Sequence, residues 1–158
     1  MTLVVRRAGL ADIFALRHAV LRPGRKASAS VYGKDLVAVH MGAWEVTEGG
    51  TGMLVGCATV FHEPWAGPPP EPGAWRLRGM AVDPSRQRSG VGRQLLEGVV
   101  SAARDDGATL LWANARTTAL PFYLGQGWTV AGAEFVTPDT GLPHRPIVLS
   151  LLGVGPSA

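Results

Sequence analysis

The sequence predicts a single α/β domain built on a mixed sheet, and three observations carry that prediction. Strand-like apolar runs and runs of helical period alternate in the order β-α-β-β-β-α-β-α-β-β, so helices should flank a sheet. Met80 to Leu96 reads as a strand end, an arginine-bearing turn with glycines at Gly90 and Gly92, and the first turn of a helix. The length, 158 residues with 46% apolar and 17% charged residues, suits one domain with a sizeable core.

Thr2 to Arg7 is a short first strand. Leu10 to Leu21 places Ile13, Leu16, Ala19 and Val20 at helical spacing. That helix must end near Arg22, because the residue before Pro23 avoids helical backbone. Arg25 to Lys34 is polar and basic without a period, which suits a mobile loop or a short second helix. Arg17, Arg22, Arg25 and Lys26 then form a solvated face. Leu36 to Val46 and Met53 to His62 read as an antiparallel hairpin turning at Glu48-Gly49-Gly50. Glu63 to Gly73, with five prolines and two glycines, excludes a helix and a central strand. Loops of that length are often functional.

Ala74 to Val82 is the fourth strand, and alternation puts Arg76, Arg78 and Met80 on one face. Gly90 to Asp106 is a helix with Val91, Leu95, Leu96, Val99 and Ala103 on one side. Thr109 to Ala113, apolar and set between helices, has the pattern of a buried parallel strand. Thr117 to Leu124 is a short helix, Gly127 to Val136 and Arg145 to Leu152 are further strands, and Gly153 to Ala158 is a frayed tail. There is no internal repeat.

Composition narrows the function. No apolar run reaches membrane-spanning length, and the N-terminus lacks a signal-peptide hydrophobic region, so the expected compartment is the cytoplasm. Cys57, the only cysteine, lies in an apolar strand and reads as a small buried hydrophobe. Nothing suggests a metal site. The net charge of +3 is uneven: residues 76–93 hold five arginines against Asp83, while residues 36–75 hold four glutamates and no Lys or Arg. Basic clustering can signal nucleic acid. Here it coincides with the glycine turn, where a small anionic ligand explains it equally well, and no recognition-helix motif supports nucleic acid.

That turn joins three physical features. Glycines let main chain approach a ligand, a helix start offers unpaired N–H donors, and the helix dipole favours an anion there. A Walker A loop would need lysine after Gly92, and a Rossmann fingerprint would need glycine where Leu95 stands. The run Gln87-x-x-Gly90-x-Gly92, preceded by Ala81-Val82-Asp83-Pro84, instead resembles the pyrophosphate loop of the GNAT superfamily of N-acetyltransferases, which bind acetyl-CoA. An ordinary strand–turn–helix connection is the bland alternative. A second run, Asn114 to Trp128, resembles the later GNAT motif through Asn114, Ala119, Phe122, Tyr123 and Gly127, with Trp128 in place of the commoner Phe. The two motifs in the right order are more specific than either alone. The resemblance covers residues 74–130 well and the N-terminal third only through element order.

The resemblance implies a GNAT fold, a mixed and mostly antiparallel central sheet whose fourth and fifth strands splay apart, with flanking helices. It implies direct transfer of acetyl from acetyl-CoA to a primary amine of a small molecule or protein, by a monomer or homodimer. The main chain of Met80, Ala81 and Val82 would polarise the thioester carbonyl. Gln87, Arg88, Ser89, Gly90, Val91, Gly92 and Arg93 would hold the pyrophosphate, with Arg88 or Arg93 adding charge. Asn114 and Phe122 are further cofactor candidates, although Asn114 at a strand end also suits a turn and Phe122 and Trp128 suit the core. Tyr123 would protonate the departing thiolate, or only pack and hydrogen-bond the sulfur.

The base is missing. Relatives place Glu or His on the fourth strand, where this chain has arginines, which cannot accept a proton. His62, Glu63 and His144 are the substitutes, and a water chain is another. Arg76 and Arg78 either pair structurally or receive a carboxylate or phosphate on the acceptor, and Arg17, Arg22, Arg25 and Lys26 have a sharper reading as a lid over the amine. A non-catalytic acetyl-CoA sensor or partner-binding domain is the competing function.

Overall fold

The computed structural model describes residues 1–50 and 52–152. The expected tail, Gly153 to Ala158, lies outside them. The described strands are β1 (Thr2–Ala8), β2 (Val39–Val46), β3 (Gly52–His62), β4 (Ala74–Val82), β5 (Leu110–Arg116), β6 (Thr129–Val130), β7 (Phe135–Val136) and β8 (Pro143–Ser150). The helices are α1 (Leu10–Leu21), α2 (Val91–Asp105) and α3 (Leu120–Gly125). The sheet runs β1-β2-β3-β4-β5-β8-β6, with β7 also on β8, and it is mostly antiparallel with a parallel β4–β5 pair. That parallel ladder covers only Ala74↔Leu110 to Arg76↔Trp112.

Two compact units share the described residues, one of Met1–Phe61 with Leu77–Ala103, the other of His62–Arg76 with residues 104–152. In the first, Ile13, Cys57 and Ala81 form a core on which Leu10, Leu16, Val20, Leu21 and Leu54 pack. Helix α2 buries Val91, Leu95, Leu96, Val99, Ala102 and Ala103, the side its period predicts. Gly56 makes room for it, since a Cβ there would stand 3.2 Å from Val91 and 3.3 Å from Leu95. Cys57 is sealed in this core, and burial pushes its thiol up to about 12, so it is an apolar packing residue. In the second unit, Leu111, Ala113, Ala115, Trp128 and Ile147 are buried.

Helix α1 begins at Leu10, where the Gly9 N–H donates to Asp12 Oδ2 at 2.8 Å, and it ends at Leu21 as expected. Five expectations need correction. Arg17 and Arg22 are buried, Arg17 completely, so neither belongs to a solvated face. Strand β2 starts at Val39, not Leu36, because β1 ends at the Ala8↔His40 pair and offers nothing to pair with earlier residues. Leu36 and Val37 are consequently 95% and 77% exposed. Strand β5 continues to Arg116, antiparallel to β8 on its other side, with Ala113 and Ala115 buried and Asn114 and Arg116 alternating with them. Asn114 therefore sits within a strand, opposite Pro146, and not at a strand end.

The predicted strand over residues 127–136 breaks in two. Pro146 has no N–H to give to the ladder. The chain bulges past it, the Ala131 N–H donating to Pro146 O at 2.8 Å and Arg145 donating to Gly132 O. Last, β4 does not alternate: Ala74, Leu77 and Ala81 are its buried positions, three and then four residues apart. Gly79 at φ +64 leaves extended backbone, so Arg76, Arg78 and Met80 do not simply share a face.

Candidate active site

The glycine turn lies wholly in the first unit and is anchored at both ends. Asp83 N–H donates to Val55 O at 2.8 Å, tying the end of β4 to β3. The Asp83 carboxylate accepts from Ser85 N–H at 2.9 Å and Ser85 Oγ at 2.7 Å, and these bonds, with Arg86 nearby, hold its pKa below the usual range. Arg86 Nε reaches Glu45 Oε1 on β2 at 2.6 Å, while Arg86 O accepts from Ser89 Oγ. Sequence reasoning missed Glu45 and Arg86, because forty-one residues separate them and no local pattern joins them.

Between those anchors the backbone coils tightly. Arg88 (φ +65) and Gly90 (φ +89) both adopt left-handed backbone. For arginine that conformation is uncommon and strained. Main-chain donors gathered by such turns form concavities suited to anions. Among the described residues, no amide from Gln87 to Arg93 makes a well-formed hydrogen bond to a protein acceptor, only the loose contacts of the turn itself; helix hydrogen bonding begins with Gln94 N–H to Gly90 O at 3.1 Å. The side chains of Gln87, Arg88 and Ser89 are exposed, and that of Val91 turns into the core, so none plugs the turn. Arg93 makes only an exposed i,i+4 pair with Glu97 at 3.1 Å, which contributes little to stability. Gln87 Nε2 folds back on Val82 O at 3.3 Å. Exposed donors and cations of this kind fit a diphosphate.

Residues 14–128 match the acetyltransferase (GNAT) family. The chain belongs to that family. A Bacillus subtilis relative, the uncharacterized N-acetyltransferase YitI, is 28% identical over 141 residues, 88% of this chain and 91% of that protein. A solved N-acetyltransferase from Lactobacillus plantarum has a TM-score of 0.76 at 21% identity, over 96% of this chain and 100% of that one. The acetyltransferase yncA from Salmonella typhimurium, solved with its cofactor acetyl-CoA, has a TM-score of 0.66 at 21% identity, over 96% of this chain and 95% of that one. At these identities the two structures show the GNAT fold. GNAT acetyltransferases use acetyl-CoA and act on amine acceptors.

The expected GNAT site residues fall into two groups. Met80, Ala81 and Val82 lie on β4 just after Gly79 and share the first unit with the turn; Ala81 is buried and the other two are half-buried. Asn114, Phe122 and Tyr123 belong to the second unit. Phe122 is half-buried rather than core, its ring 5.2 Å from that of Tyr123, and Tyr123 in turn packs at 5.4 Å on the buried Trp128. Burial raises the Tyr123 pKa, so the phenol keeps its proton throughout the neutral and mildly alkaline range.

The base candidates are engaged elsewhere. His62 is exposed, with Nε2 3.1 Å from Pro72 O. Glu63 pairs with Arg76 at 3.1 Å, and that guanidinium lies 4.7 Å from the Trp112 ring. His144 Nδ1 donates to Leu142 O at 2.8 Å, and its ring stacks near Phe135. Arg76 is therefore a structural ion-pair partner.

A buried polar cluster in the first unit lies against β4. Arg17 binds Asp35 through both terminal nitrogens (2.8 and 3.1 Å), Ser30 O at 2.9 Å and Thr59 Oγ1 at 2.5 Å. Thr59 Oγ1 also contacts His40 Nδ1 at 2.8 Å, and His40 Nε2 contacts Asp35 O at 2.9 Å. Burial alone would raise the Asp35 pKa; bonds from Arg17 and the Tyr32 N–H, with the charges of Arg17 and His40, outweigh it and hold the carboxyl below its usual range. The segment Arg25 to Lys34, expected as a mobile loop or a short second helix, thus carries a short 3-10 turn at Ala27–Ser30, and it buries Ser30 and Tyr32, with the adjoining Asp35, on Arg17.

Proposed function

We propose that the chain is an N-acetyltransferase, acting as one domain, that moves acetyl from acetyl-CoA to a primary amine of a small molecule or protein. The observation that carries this is the run of amides from Gln87 to Arg93 that make no well-formed protein hydrogen bond, coiled by left-handed backbone at Arg88 and Gly90. Those amides receive the diphosphate, and Arg88 and Arg93 add charge. When bound, acetyl-CoA supplies a thioester as acetyl donor. Main chain of Met80 to Val82 stabilises negative charge on the carbonyl oxygen, Asn114 and Phe122 help hold the cofactor, and Tyr123 donates its proton to the sulfur. Tyr123 keeps that proton available because its site disfavours phenolate.

Purified protein should be stabilised against heat by CoA and should release CoA from acetyl-CoA in the presence of an amine panel. Tyr123→Phe should lower kcat about 10²-fold, the scale of one acid–base contribution, with the Kd for CoA unchanged. A second reading, a non-catalytic acetyl-CoA sensor, is favoured by the structural engagement of His62, Glu63 and His144. It would prevail if the wild type bound acetyl-CoA and released no CoA with any amine.

A further inference from the structure

Tyr32 is the member of the buried cluster whose polar end has no use in it. Its ring is held between two guanidiniums, Arg17 at 4.1 Å and Arg78 at 4.0 Å from the ring centroid. Its N–H donates to Asp35 Oδ2 at 2.8 Å, and its carbonyl accepts from the Asp35 N–H at 3.0 Å, so main chain and ring are both fixed. The hydroxyl is different: it has no hydrogen-bond partner among the described residues, yet it is not among the sealed, unsatisfied polar atoms. The residue is only 6% exposed, and the hydroxyl lies at that small opening.

The Tyr32 hydroxyl lies beside Gly79 of β4, where the backbone turns left-handed. A methyl group built on Gly79 would stand 2.9 Å from Tyr32 Cε2 and 3.1 Å from Tyr32 Oη. The phenol thus lies against the residue that precedes Met80, where the strand leaves regular geometry. A rigid aromatic with one free hydroxyl, clamped at low entropic cost, is suited to orienting a small polar group.

We propose that Tyr32 is an acceptor-binding residue: its hydroxyl accepts a hydrogen bond from the incoming amine and aims the nitrogen lone pair at the acetyl carbonyl carbon. The proposal rests on the acetyltransferase reading, with the thioester along Met80 to Val82. No bond to Tyr32 forms or breaks. The acetyl–sulfur bond breaks as the acetyl–nitrogen bond forms, CoA leaves as the thiol with a proton from Tyr123, and the proton lost by the amine passes to solvent water, from which Tyr123 is reprotonated.

The test compares wild type, Tyr32→Phe and Tyr32→Leu, measuring thermal stability with and without CoA and CoA release from acetyl-CoA with water alone and with amino acids, polyamines and peptide N-termini. Phe keeps the ring between Arg17 and Arg78, so the melting temperature and the CoA-induced shift should stay those of wild type. The kcat/KM for the amine should fall about 10- to 100-fold, with the KM for acetyl-CoA unchanged. Leu removes the ring as well and should lower the melting temperature. Wild-type amine kinetics in Tyr32→Phe would overturn the proposal, as would an equal loss in acetyl-CoA KM, which marks a purely structural role. A wild type that CoA stabilises but that acetylates nothing removes the proposal while leaving cofactor binding intact. A wild type that CoA does not stabilise removes the acetyltransferase reading itself.

Discussion

Arg17 concentrates most of what is costly in the first unit. A fully buried guanidinium is tolerated because Asp35, Ser30 O and Thr59 occupy its two terminal nitrogens, while its Nε has no hydrogen-bond partner among the described residues. Asp35→Asn would leave that cation without its counter-charge and should cost about 3–5 kcal/mol at pH 7, the range for breaking one side of a buried pair. Chemical denaturation measures it. The sign with pH follows from the direction of the shift. The folded-state pKa of Asp35 is depressed, so its stabilisation is complete above the unfolded value near 3.9 and is lost as pH falls through the lower folded value. Acid unfolding of wild type should therefore retain a component below about pH 4 that Asp35→Asn lacks. None of this could be read along the chain, where eighteen residues separate the two partners and Arg17 occupies an unremarkable helix position.

At the scale of elements, two local departures from regularity define the site. One is the left-handed backbone at Gly79 within β4. The other is the turn after β4, where Arg88 holds left-handed backbone that glycine adopts without strain. Arg88→Gly should release about 1–2 kcal/mol of strain against about 0.5–1 kcal/mol of added unfolded-state entropy. The melting temperature should then stay level or rise, while CoA affinity falls several-fold through loss of the cation. Calorimetric titration with CoA, beside a thermal melt, separates the two effects. A parallel loss of stability and affinity would mean that Arg88 serves the fold. The glycine spacing made the turn legible in advance. The break at Gly79 was not, because a glycine inside a strand-like run reads as an ordinary strand position and only its φ reveals the turn.

For the molecule as a whole, a ligand that binds the native state alone stabilises it by RT ln(1 + [L]/Kd), about 2.7 kcal/mol at a hundredfold excess over Kd. Titrating CoA should raise the melting temperature progressively with the logarithm of concentration. Dephospho-CoA, which keeps the diphosphate, should preserve most of that rise, whereas pantetheine, which lacks it, should not. Equal stabilisation by pantetheine would move the binding energy away from the turn at Gln87 to Arg93. Among the described residues no helix is long and apolar enough to cross a membrane, and no group of His, Cys, Asp and Glu could hold a metal ion.

The chain's own residue order determined the family, the succession of helices and strands apart from the break within residues 127–136, the ends of α1, the buried side of α2 and the position of the glycine turn. Each of these depends on neighbours within about one helical turn or one tight turn, where period, proline and glycine act directly. Tertiary structure alone decided the rest. Arg17 became a core residue because Asp35 and Thr59 arrive from elsewhere, residues 131–134 left the sheet because Pro146 stands opposite, and Tyr32 came to face Gly79 across forty-six intervening residues. Such pairings are settled by packing and by the need to satisfy buried polar groups, and neither leaves a local mark in the sequence.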